Sequence, residues 1–278
     1  MNAYRIVSSR QNPLVKDICA LSEKKRRKES SAFRFDGRKL FLEAIESGIA
    51  LLYVVIREDT AKEISPLCER ACELSLVERD NIICVTREVF EKISEEKSPE
   101  GVICVAKMQE ELHKKLSCEE LANELSGGER ILIAESLRDP GNLGTVMRSC
   151  AALGIDRLII TDDCADLYAS RTARAAMGAL FKQRTVRVSL SELPTAIELL
   201  RKKGRKIYAA ALRRDALTVG KIEMSPSDAF VIGNEGHGLS DGVINACDTC
   251  AIIPMAEGAE SLNAAAAAAI CIWETVRA

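Results

Sequence analysis

Two polar residues on a short segment near the middle of the chain have the types and the spacing for chemistry. The segment 139–148 reads DPGNLGTVMR, in which a Pro-Gly turn leads into a helix that carries Asn142 and Arg148. We expect Asn142 to cap this helix, and Arg148 to follow almost two turns later. An arginine on an otherwise apolar helix is commonly an ion-pair partner, and Glu235 is the candidate carboxylate. The segment therefore offers an amide and a permanent cation on one helix.

A second loop places a single carboxylate among glycines. Residues 230–240 read FVIGNEGHGLS, an apolar strand end followed by three glycines around Glu235. Backbone groups in such a loop can hydrogen-bond a nucleoside where side chains would block its approach. The spacing Gly233-x-x-Gly236-x-Gly238 runs opposite to the GxGxxG dinucleotide motif and occurs late in the chain, which disfavours NAD as the ligand.

A third stretch, 252–274, reads IIPMAEGAESLNAAAAAAICIWE and predicts a strand, a loop and a helix. Ser261 is the expected N-cap, because its hydroxyl can accept a hydrogen bond from a backbone N–H of the first turn. The alanines that follow favour a helix and give it little side-chain bulk, so that another backbone or a ligand can approach closely. On periodicity alone, a poly-alanine helix packed against a sheet is the alternative.

Together the three segments resemble the motifs of the SpoU (TrmH) family of RNA ribose 2′-O-methyltransferases, within the knotted SPOUT superfamily. Their order and spacing fit over residues 130–278. The matching residues, motif by motif, are Asn142, Gly144 and Arg148; Gly233, Glu235, Gly236 and Gly238; and Ile253-Pro254-Met255 with Ser261-Leu262-Asn263. Three motifs in sequence are far more specific than one glycine loop.

The resemblance implies transfer of a methyl group from S-adenosylmethionine to a ribose 2′-hydroxyl of RNA, without a metal. Ribosomal RNA is the expected substrate and transfer RNA the alternative. By the resemblance, the catalytic residues are Arg148, Asn142, Glu235, Ser261 and Asn263. The cofactor-binding residues are Gly233, Ile253, Met255 and Leu262. From the residues alone, these last four could equally be a loop glycine and core aliphatics.

The resemblance assigns to Arg148 the activation of the 2′-hydroxyl. A guanidinium stays protonated at neutral pH and is a poor base. We therefore expect Arg148 to bind the neighbouring phosphate and to stabilise the developing alkoxide, with the proton passing to phosphate or water. Asn142, Glu235, Ser261 and Asn263 would hold Arg148 and the ribose in place, although helix capping alone could explain Asn142 and Ser261.

The elements that must position these residues form an α/β domain over residues 130–278. Apolar runs separated by helical patterns predict a mostly parallel sheet with helices on both faces; the predicted strands lie at 131–136, 155–161, 207–212 and 229–232. Ligands bind such sheets outside the carboxyl ends of the strands, where all three motifs fall. The resemblance adds a C-terminal trefoil knot and a homodimer with active sites across its interface.

Residues 1–107 predict a smaller α/β domain. Its strands are expected at 33–35, 51–56, 82–85 and 102–106, with helices near 38–47 and 60–75. The opening 8–16, SSRQNPLVK, resembles the ribosomal-protein-like (L30e-like) substrate-binding domain that precedes the catalytic domain in many SpoU proteins. A charged helical segment, 108–129, is interpreted as the linker between the two domains.

Charge is distributed unevenly along the chain. Residues 1–40 carry eleven Lys or Arg against four Asp or Glu, whereas residues 41–129 carry ten against twenty. A basic arm on a protein of net charge −2 is the usual sign of a phosphate-bearing partner such as RNA. The run 24–28, KKRRK, could also be only a solvated helix face.

Length and composition restrict the class of protein. A chain of 278 residues with 47% hydrophobic and 29% charged residues is globular and long enough for two domains. No apolar run reaches membrane-spanning length and the N-terminus lacks the apolar core of a signal peptide, so we expect a cytoplasmic location without a membrane partner. Eleven cysteines, one CxxC and two histidines favour packed thiols over a zinc site.

Two other classes of function compete with the methyltransferase. An RNA-binding module could keep this fold and lose the chemistry, but the five predicted catalytic residues are all present. A nucleotide-dependent metabolic enzyme is disfavoured by the basic arm and by the reversed glycine spacing.

Overall fold

The computed structural model describes residues 4–125, 128–213, 215–258 and 261–277. The strands are β1 (Arg5–Val7), β2 (Ala32–Asp36), β3 (Leu51–Arg57), β4 (Ile82–Val85), β5 (Val102–Lys107), β6 (His113–Lys115), β7 (Ile131–Ala134), β8 (Arg157–Thr161), β9 (Thr185–Val188), β10 (Ile207–Ala210), β11 (Leu217–Thr218), β12 (Ala229–Ile232) and β13 (Thr249–Ile252). The α-helices are α1 (Pro13–Ala20), α2 (Lys24–Ser30), α3 (Arg38–Glu46), α4 (Ala61–Glu73), α5 (Arg87–Ile93), α6 (Cys118–Glu124), α7 (Pro140–Leu153), α8 (Ser170–Ala176), α9 (Leu193–Lys202), α10 (Asp241–Ala246) and α11 (Ala264–Val276). Short 3-10 turns lie at Arg79–Asn81, Met177–Phe181 and Leu190–Glu192.

The chain divides into two compact units. The first comprises residues 1–109 and 166–181, and the second comprises residues 110–165 and 182–278. The chain thus leaves the second unit after Ala165 and returns to it at Lys182. The sequence-based division, in which everything beyond residue 130 belonged to one continuous domain, did not anticipate this excursion.

The second unit is built on an eight-stranded sheet in the order β11-β13-β10-β12-β7-β8-β9-β6. Every pairing in it is parallel. Such strands need crossover connections, and the intervening helices supply them. The predicted parallel α/β architecture is therefore confirmed for this unit.

Alternate residues of the strands form two apolar layers. Ile131, Ile133 and Ile159 belong to one buried core with residues of α6, α9 and α10. The strand pleat turns their neighbours, such as Leu132 and Leu158, to the opposite face, and both are fully buried. Helices α7 and α11 pack against each other and against strands of the sheet. Helices consequently cover both faces, as parallel sheets require.

The segment 108–129 is not a free linker, and that interpretation was wrong. Strand β6 adds to the edge of the eight-stranded sheet by pairing with β9, and Leu121 of α6 and its C-cap residue Leu125 are buried in the core. Ser117 and Glu120 form a capping box that fixes the start of α6. The many charges of the segment lie on its solvent side, so composition concealed a narrow apolar stripe.

The first unit contains a five-stranded sheet in the order β1-β4-β3-β5-β2. β1, β4 and β3 are parallel, and β5 and β2 join antiparallel. The four strands and two helices predicted within residues 1–107 are present, shifted by at most two residues at their ends. The mixed sheet confirms α/β alternation on a small scale.

Aromatic packing explains why residues 166–181 belong to the first unit. The ring of Tyr168 lies 4.7 Å from that of Phe33, and the ring of Phe181 lies 5.3 Å from that of Phe35. Such pairs stabilise beyond the apolar area they bury. Within this stretch, α8 is followed by the turn Met177–Phe181.

Two further features concern the whole described chain. All eleven cysteines are free thiols and nine of them are buried, which confirms their interpretation as small hydrophobic residues. Within the described residues, no helix is long and apolar enough to span a membrane.

Candidate active site

The three motifs follow strands β7, β12 and β13 of the second unit. β7 and β12 are neighbours, and β10 separates β12 from β13. Because all the strands are parallel, their carboxyl ends lie at one edge of the sheet. The topology thus brings together segments whose contacting residues lie up to 121 positions apart in sequence.

A chain of side-chain hydrogen bonds joins the three motifs. The Asn263 Nδ2 donates to Asn142 Oδ1 at 3.0 Å, and the Asn142 Nδ2 donates to Glu235 Oε1 at 3.0 Å. The amide of Asn142 therefore uses its acceptor toward one motif and its donor toward the other. Three of the five predicted catalytic residues are brought into direct contact by this chain.

Asn142 does not cap α7, so that prediction was wrong. The N-cap is Asp139, whose Oδ1 accepts from the Asn142 N–H at 2.9 Å, and Pro140 occupies the first helical position. Proline suits that position because its missing N–H would have no partner there. Capping by Asp139 leaves the Asn142 side chain free to join the hydrogen-bonded chain.

Ser261 does not cap α11 either. It is exposed, and the cap is Asn263, whose Oδ1 accepts from the N–H groups of Ala265 at 2.9 Å and Ala266 at 3.3 Å. Asparagine caps as well as serine, and it keeps an NH₂ group for a second bond. The side-chain oxygen of Asn263 thus caps the helix, while its side-chain NH₂ group donates to Asn142.

The glycine loop of the second motif closes on itself. Asn234 and Gly238 exchange backbone hydrogen bonds of 2.9 and 3.0 Å. A Cβ on Gly233 would lie 2.3 Å from the carbonyl carbon of Gly238, so no larger residue fits there without moving the loop. The glycine is therefore required by close backbone approach, whatever ligand the loop binds.

Sequence reasoning missed Asn234. Its Nδ2 donates to the Ser136 carbonyl at 2.8 Å and to Glu235 Oε2 at 3.4 Å, while its Oδ1 accepts from the Gly236 N–H at 2.8 Å. It thereby fastens the second motif to the chain just after β7 and orients Glu235. A polar residue between two loop glycines was the signal that could have identified it.

The segment that leads into the first motif is strongly anchored. Ser136 adopts φ 56°, donates its N–H to Thr161 Oγ1 at 2.8 Å and its hydroxyl to Asp163 Oδ2 at 2.6 Å. Burial disfavours the charged form of Asp163, but hydrogen bonds from Ser136, Thr161 and Arg138 outweigh burial and hold the pKa of this carboxyl below its usual value. An ionised Asp163 therefore fixes the approach to α7.

Arg148 is exposed on α7. Within the described ranges its guanidinium has neither an ion pair nor a hydrogen bond, so the alternative in which Arg148 pairs with Glu235 is not observed. Glu235 instead accepts from the amides of Asn142 and Asn234. An unpaired exposed guanidinium remains available to a phosphate or another anion.

The aliphatic residues predicted to contact a cofactor are accessible to different degrees. Ile253 is half-buried, whereas Met255 is 40% and Leu262 is 41% exposed. The third motif is not described continuously, because residues 259 and 260 lie outside the described residues. Exposed large apolar side chains beside a polar cluster indicate a surface that receives a ligand or a partner.

Comparison with known families identifies the family to which the chain belongs. A model of the SpoU rRNA Methylase family matches residues 129–273, and a model of the MRM3-like substrate binding domain matches residues 12–104. The chain belongs to the SpoU rRNA methylase family. The match confirms the family and the enzyme class that the motifs predicted. Together with the AdoMet-bound structures described below, it confirms S-adenosylmethionine as the cofactor.

Individual SpoU relatives align over nearly the whole chain. The 23S rRNA (guanosine(2553)-2'-O)-methyltransferase RlmP of Bacillus subtilis is 30% identical over 96% of this chain and 97% of its own length. The AdoMet-bound rRNA methyltransferase of Sinorhizobium meliloti has a TM-score of 0.80 at 27% identity, covering 99% of this chain and 98% of that one. The SpoU methyltransferase AviRb of Streptomyces viridochromogenes, in complex with AdoMet, has a TM-score of 0.78 at 25% identity, covering 96% and 98%.

Among the described residues of this SpoU protein, no group of three His, Cys, Asp or Glu side chains is arranged to hold a metal ion. The hydrogen-bonded chain that joins the three motifs consists instead of two amides and one carboxylate, which bind by hydrogen bonds.

Proposed function

We propose that this SpoU protein methylates a ribose 2′-hydroxyl of ribosomal RNA, with S-adenosylmethionine as the methyl donor. The observation that carries the proposal is the hydrogen-bonded chain Asn263–Asn142–Glu235, which ties three sequence motifs into one preorganised cluster. The SpoU rRNA methylase match over residues 129–273 supports the same activity.

The residues of the second unit suit S-adenosylmethionine. Gly233 permits close approach to a loop whose backbone groups can hydrogen-bond a nucleoside, and Ile253, Met255 and Leu262 provide apolar contacts for it. When bound, the cofactor supplies an electrophilic methyl group on a sulfonium centre.

Arg148 is proposed to act on the RNA. Its unpaired guanidinium binds the phosphate next to the target ribose and stabilises negative charge as the hydroxyl oxygen attacks. A guanidinium stays protonated at neutral pH and is a poor base, so the proton leaves to phosphate or water. Glu235, Asn142, Asn263 and Ser261 orient the ribose.

The functional unit is proposed to be a homodimer. The outer face of α11 exposes Ala266, Ile270 and Trp273 at helical spacing, with Ile270 36% and Trp273 57% exposed. Such a stripe, anchored by a tryptophan, is typical of an interface centre. Because α11 packs against α7, a second copy on this face would lie one helix away from α7, which carries Arg148.

A C-terminal trefoil knot is part of the proposal. Two contacts of the last helix support it: α11 packs against α7 and β12, and Glu274 accepts from the Gly220 N–H at 2.9 Å. The last helix is thus bonded to the connection that precedes β12, as a threaded chain would be.

RNA recognition is proposed to reside in the L30e-like residues 1–107, and catalysis in residues 130–278. The MRM3-like substrate binding match over residues 12–104 and the basic arm support this division. A cytoplasmic location, where ribosomal RNA is modified, completes the proposal.

The decisive experiment maps 2′-O-methylation in total RNA from cells with and without the protein. We expect one ribosomal position to lose its methyl group, and purified protein with S-adenosylmethionine to restore it in the presence of a chelator. An unchanged methylation map, or restoration that requires a divalent metal, would contradict the proposal.

A further inference from the structure

A cavity of about 160 Å³ lies in the first unit, away from every residue assigned above. Its wall combines the end of β2 and the start of α3 with the loop 94–100 and the excursion 166–181. These three stretches of chain come from separate parts of the sequence, so no single motif reveals the cavity.

One side of the cavity presents a carboxylate that still has an oxygen without a hydrogen-bond donor. Asp36 is the last residue of β2, and its Oδ2 accepts from the Ser94 hydroxyl at 3.0 Å. Its Oδ1 has no hydrogen-bond partner among the described residues. Burial raises the pKa of Asp36, which shows that the nearby cations do not fully compensate this charge. A ligand with N–H donors would supply the missing partners.

The cavity is also lined by two cationic side chains. The ammonium of Lys39 lines the cavity, is exposed, and has no partner among the described residues. Arg174 of α8 also lines it and forms an ion pair with Glu96. The cavity therefore offers acceptors and free donors together, whereas a cation site would present acceptors alone.

Apolar groups complete the wall. Leu40 and Met177 both line the cavity. Met177 adopts φ 52° and ψ −144°, a conformation that only glycine adopts readily. Such backbone strain persists where the surroundings impose it, commonly at ligand sites. Apolar side chains beside hydrogen-bonding groups suit an organic ligand that combines an apolar ring face with a polar edge.

We propose that this cavity binds an unpaired guanine base of the RNA substrate. The Watson–Crick edge of guanine carries two adjacent N–H donors and one carbonyl acceptor. Asp36 can accept both donors, because each carboxylate oxygen has two lone pairs, and Lys39 can donate to the carbonyl. Adenine and uracil lack the adjacent donor pair, and sequence-specific recognition of RNA mainly uses such unstacked bases.

This inference rests on the proposed RNA-binding role of the first unit, and one titration tests it. The full-length protein is titrated by fluorescence anisotropy against a uridine oligonucleotide of about twelve nucleotides, and against the same oligonucleotide with one central guanosine or inosine. We expect guanosine to tighten binding about tenfold over uridine. Inosine, which lacks the 2-amino donor, should recover only part of that gain.

Substitutions then assign the preference to the cavity. Asp36→Asn should reduce the preference for guanosine to about twofold or less, because one acceptor becomes a donor, and Lys39→Met should weaken it by a smaller factor. Glu73→Gln is the matched control, since Glu73 is exposed on the same unit and does not line the cavity. Thermal melting of each variant verifies that the fold is intact.

The outcomes separate this inference from the proposed function. Equal affinity for guanosine and uridine oligonucleotides, or an undiminished guanosine preference in Asp36→Asn, overturns the guanine site alone. Absence of binding to every oligonucleotide and to ribosomal RNA would instead remove the RNA-binding role on which the inference depends.

Discussion

Arg27 and Arg148 belong to different units and use the same side chain in opposite ways. Arg27 is 4% exposed and donates to the carbonyls of Leu21 and Ser22 at 2.7 Å and to Asp166 at 2.9 Å. Arg148 is exposed and unpaired within the described ranges. Charge counted along a sequence therefore differs from charge available to a partner, because a long cationic side chain can be consumed inside the fold.

Arg148→Ala should have the largest effect on function. We expect kcat to fall by about 10³-fold or more, because the variant loses a preorganised cation where negative charge develops. The affinity for S-adenosylmethionine should stay nearly unchanged in calorimetry. Stability should also hold, since no ion pair or hydrogen bond of Arg148 is broken.

Two variants sharpen that result. Arg148→Lys keeps the charge without the planar fork and should restore little activity. Arg184→Ala removes the same charge from another exposed position of the second unit and should remain active. Wild-type turnover in Arg148→Ala would remove Arg148 from the reaction.

Arg27→Ala should act on stability instead. The substitution leaves Asp166 half-buried without its cation, so we expect a loss of about 3 kcal/mol in the free energy of unfolding by urea. Burial opposes ionisation of Asp166, but the hydrogen bonds from Arg27 and the Tyr168 N–H, together with the positive charges of Arg27 and Lys24, outweigh it and keep the pKa of Asp166 below its usual value. The stabilisation should accordingly be present at neutral pH and disappear as pH falls through that lowered pKa. If the Arg27→Ala protein is as stable as wild type, Arg27 does not stabilise the fold and behaves like the exposed cations next to it.

Asn142→Asp tests the hydrogen-bonded chain in the second unit. The variant keeps the acceptor for Asn263 but turns a carboxylate toward Glu235, so the two groups repel each other. We expect kcat to fall about 10²-fold through misplacement of the site, while the fold is retained. Asn142→Ser, which introduces a smaller and neutral side chain, is the control, and its kcat should fall less. Equal activity of Asn142→Asp and wild type would show that the chain is only structural.

The sequence predicted the site better than the boundaries that surround it. Three motifs at strand ends placed Asn142, Glu235 and Asn263 together, since parallel topology fixes where strand ends meet. Local competition decided the rest: Asp139 and Asn263 took the caps expected at Asn142 and Ser261, because several good capping residues lie within a few positions.

Long-range packing was not readable from the sequence. The excursion 166–181 joins the first unit through aromatic contacts with Phe33 and Phe35, and pairing of this kind leaves no local pattern. The segment 108–129 was mistaken for a linker for the same reason: long-range packing decides its structure. Its short strand and helix are stable only against the sheet. A fragment that begins at residue 130 would lack β6 and α6 and should not be used to test the second unit.

The protonation of His113, in β6, tests whether the segment 108–129 is packed as the structure shows. Burial, and to a lesser extent the nearby Arg187, lowers the pKa of His113 to about 4. Between that value and the usual value of about 6.5, the unfolded chain binds more protons than the folded one, so stability falls as pH falls through this window. We expect a loss of about 1 to 2 kcal/mol from about pH 7 to about pH 5. His113→Gln should reduce this slope, and an identical slope would place the histidine in solvent.

The four remaining cations of the basic run provide the smallest and most specific test. Lys24, Lys25, Arg26 and Lys28 are exposed, and Glu29 neutralises part of their charge by pairing with Lys25 and Arg26. Replacing all four by glutamine keeps the helix propensity of α2 and leaves Arg27 untouched. Each cation that contacts a phosphate releases counterions, so the log–log dependence of RNA affinity on salt should flatten by roughly 0.7 per contact.

The matched control removes four exposed cations of the second unit, Arg184, Lys202, Lys206 and Lys221, by the same substitution. Net charge changes equally in both proteins, so a difference in salt slope must arise from position. We expect the α2 variant to lose several-fold in RNA affinity and to bind S-adenosylmethionine normally, and the control to keep most of the wild-type slope. Equal slopes in the two variants would assign the salt dependence to overall charge, and the basic arm would no longer be the RNA contact.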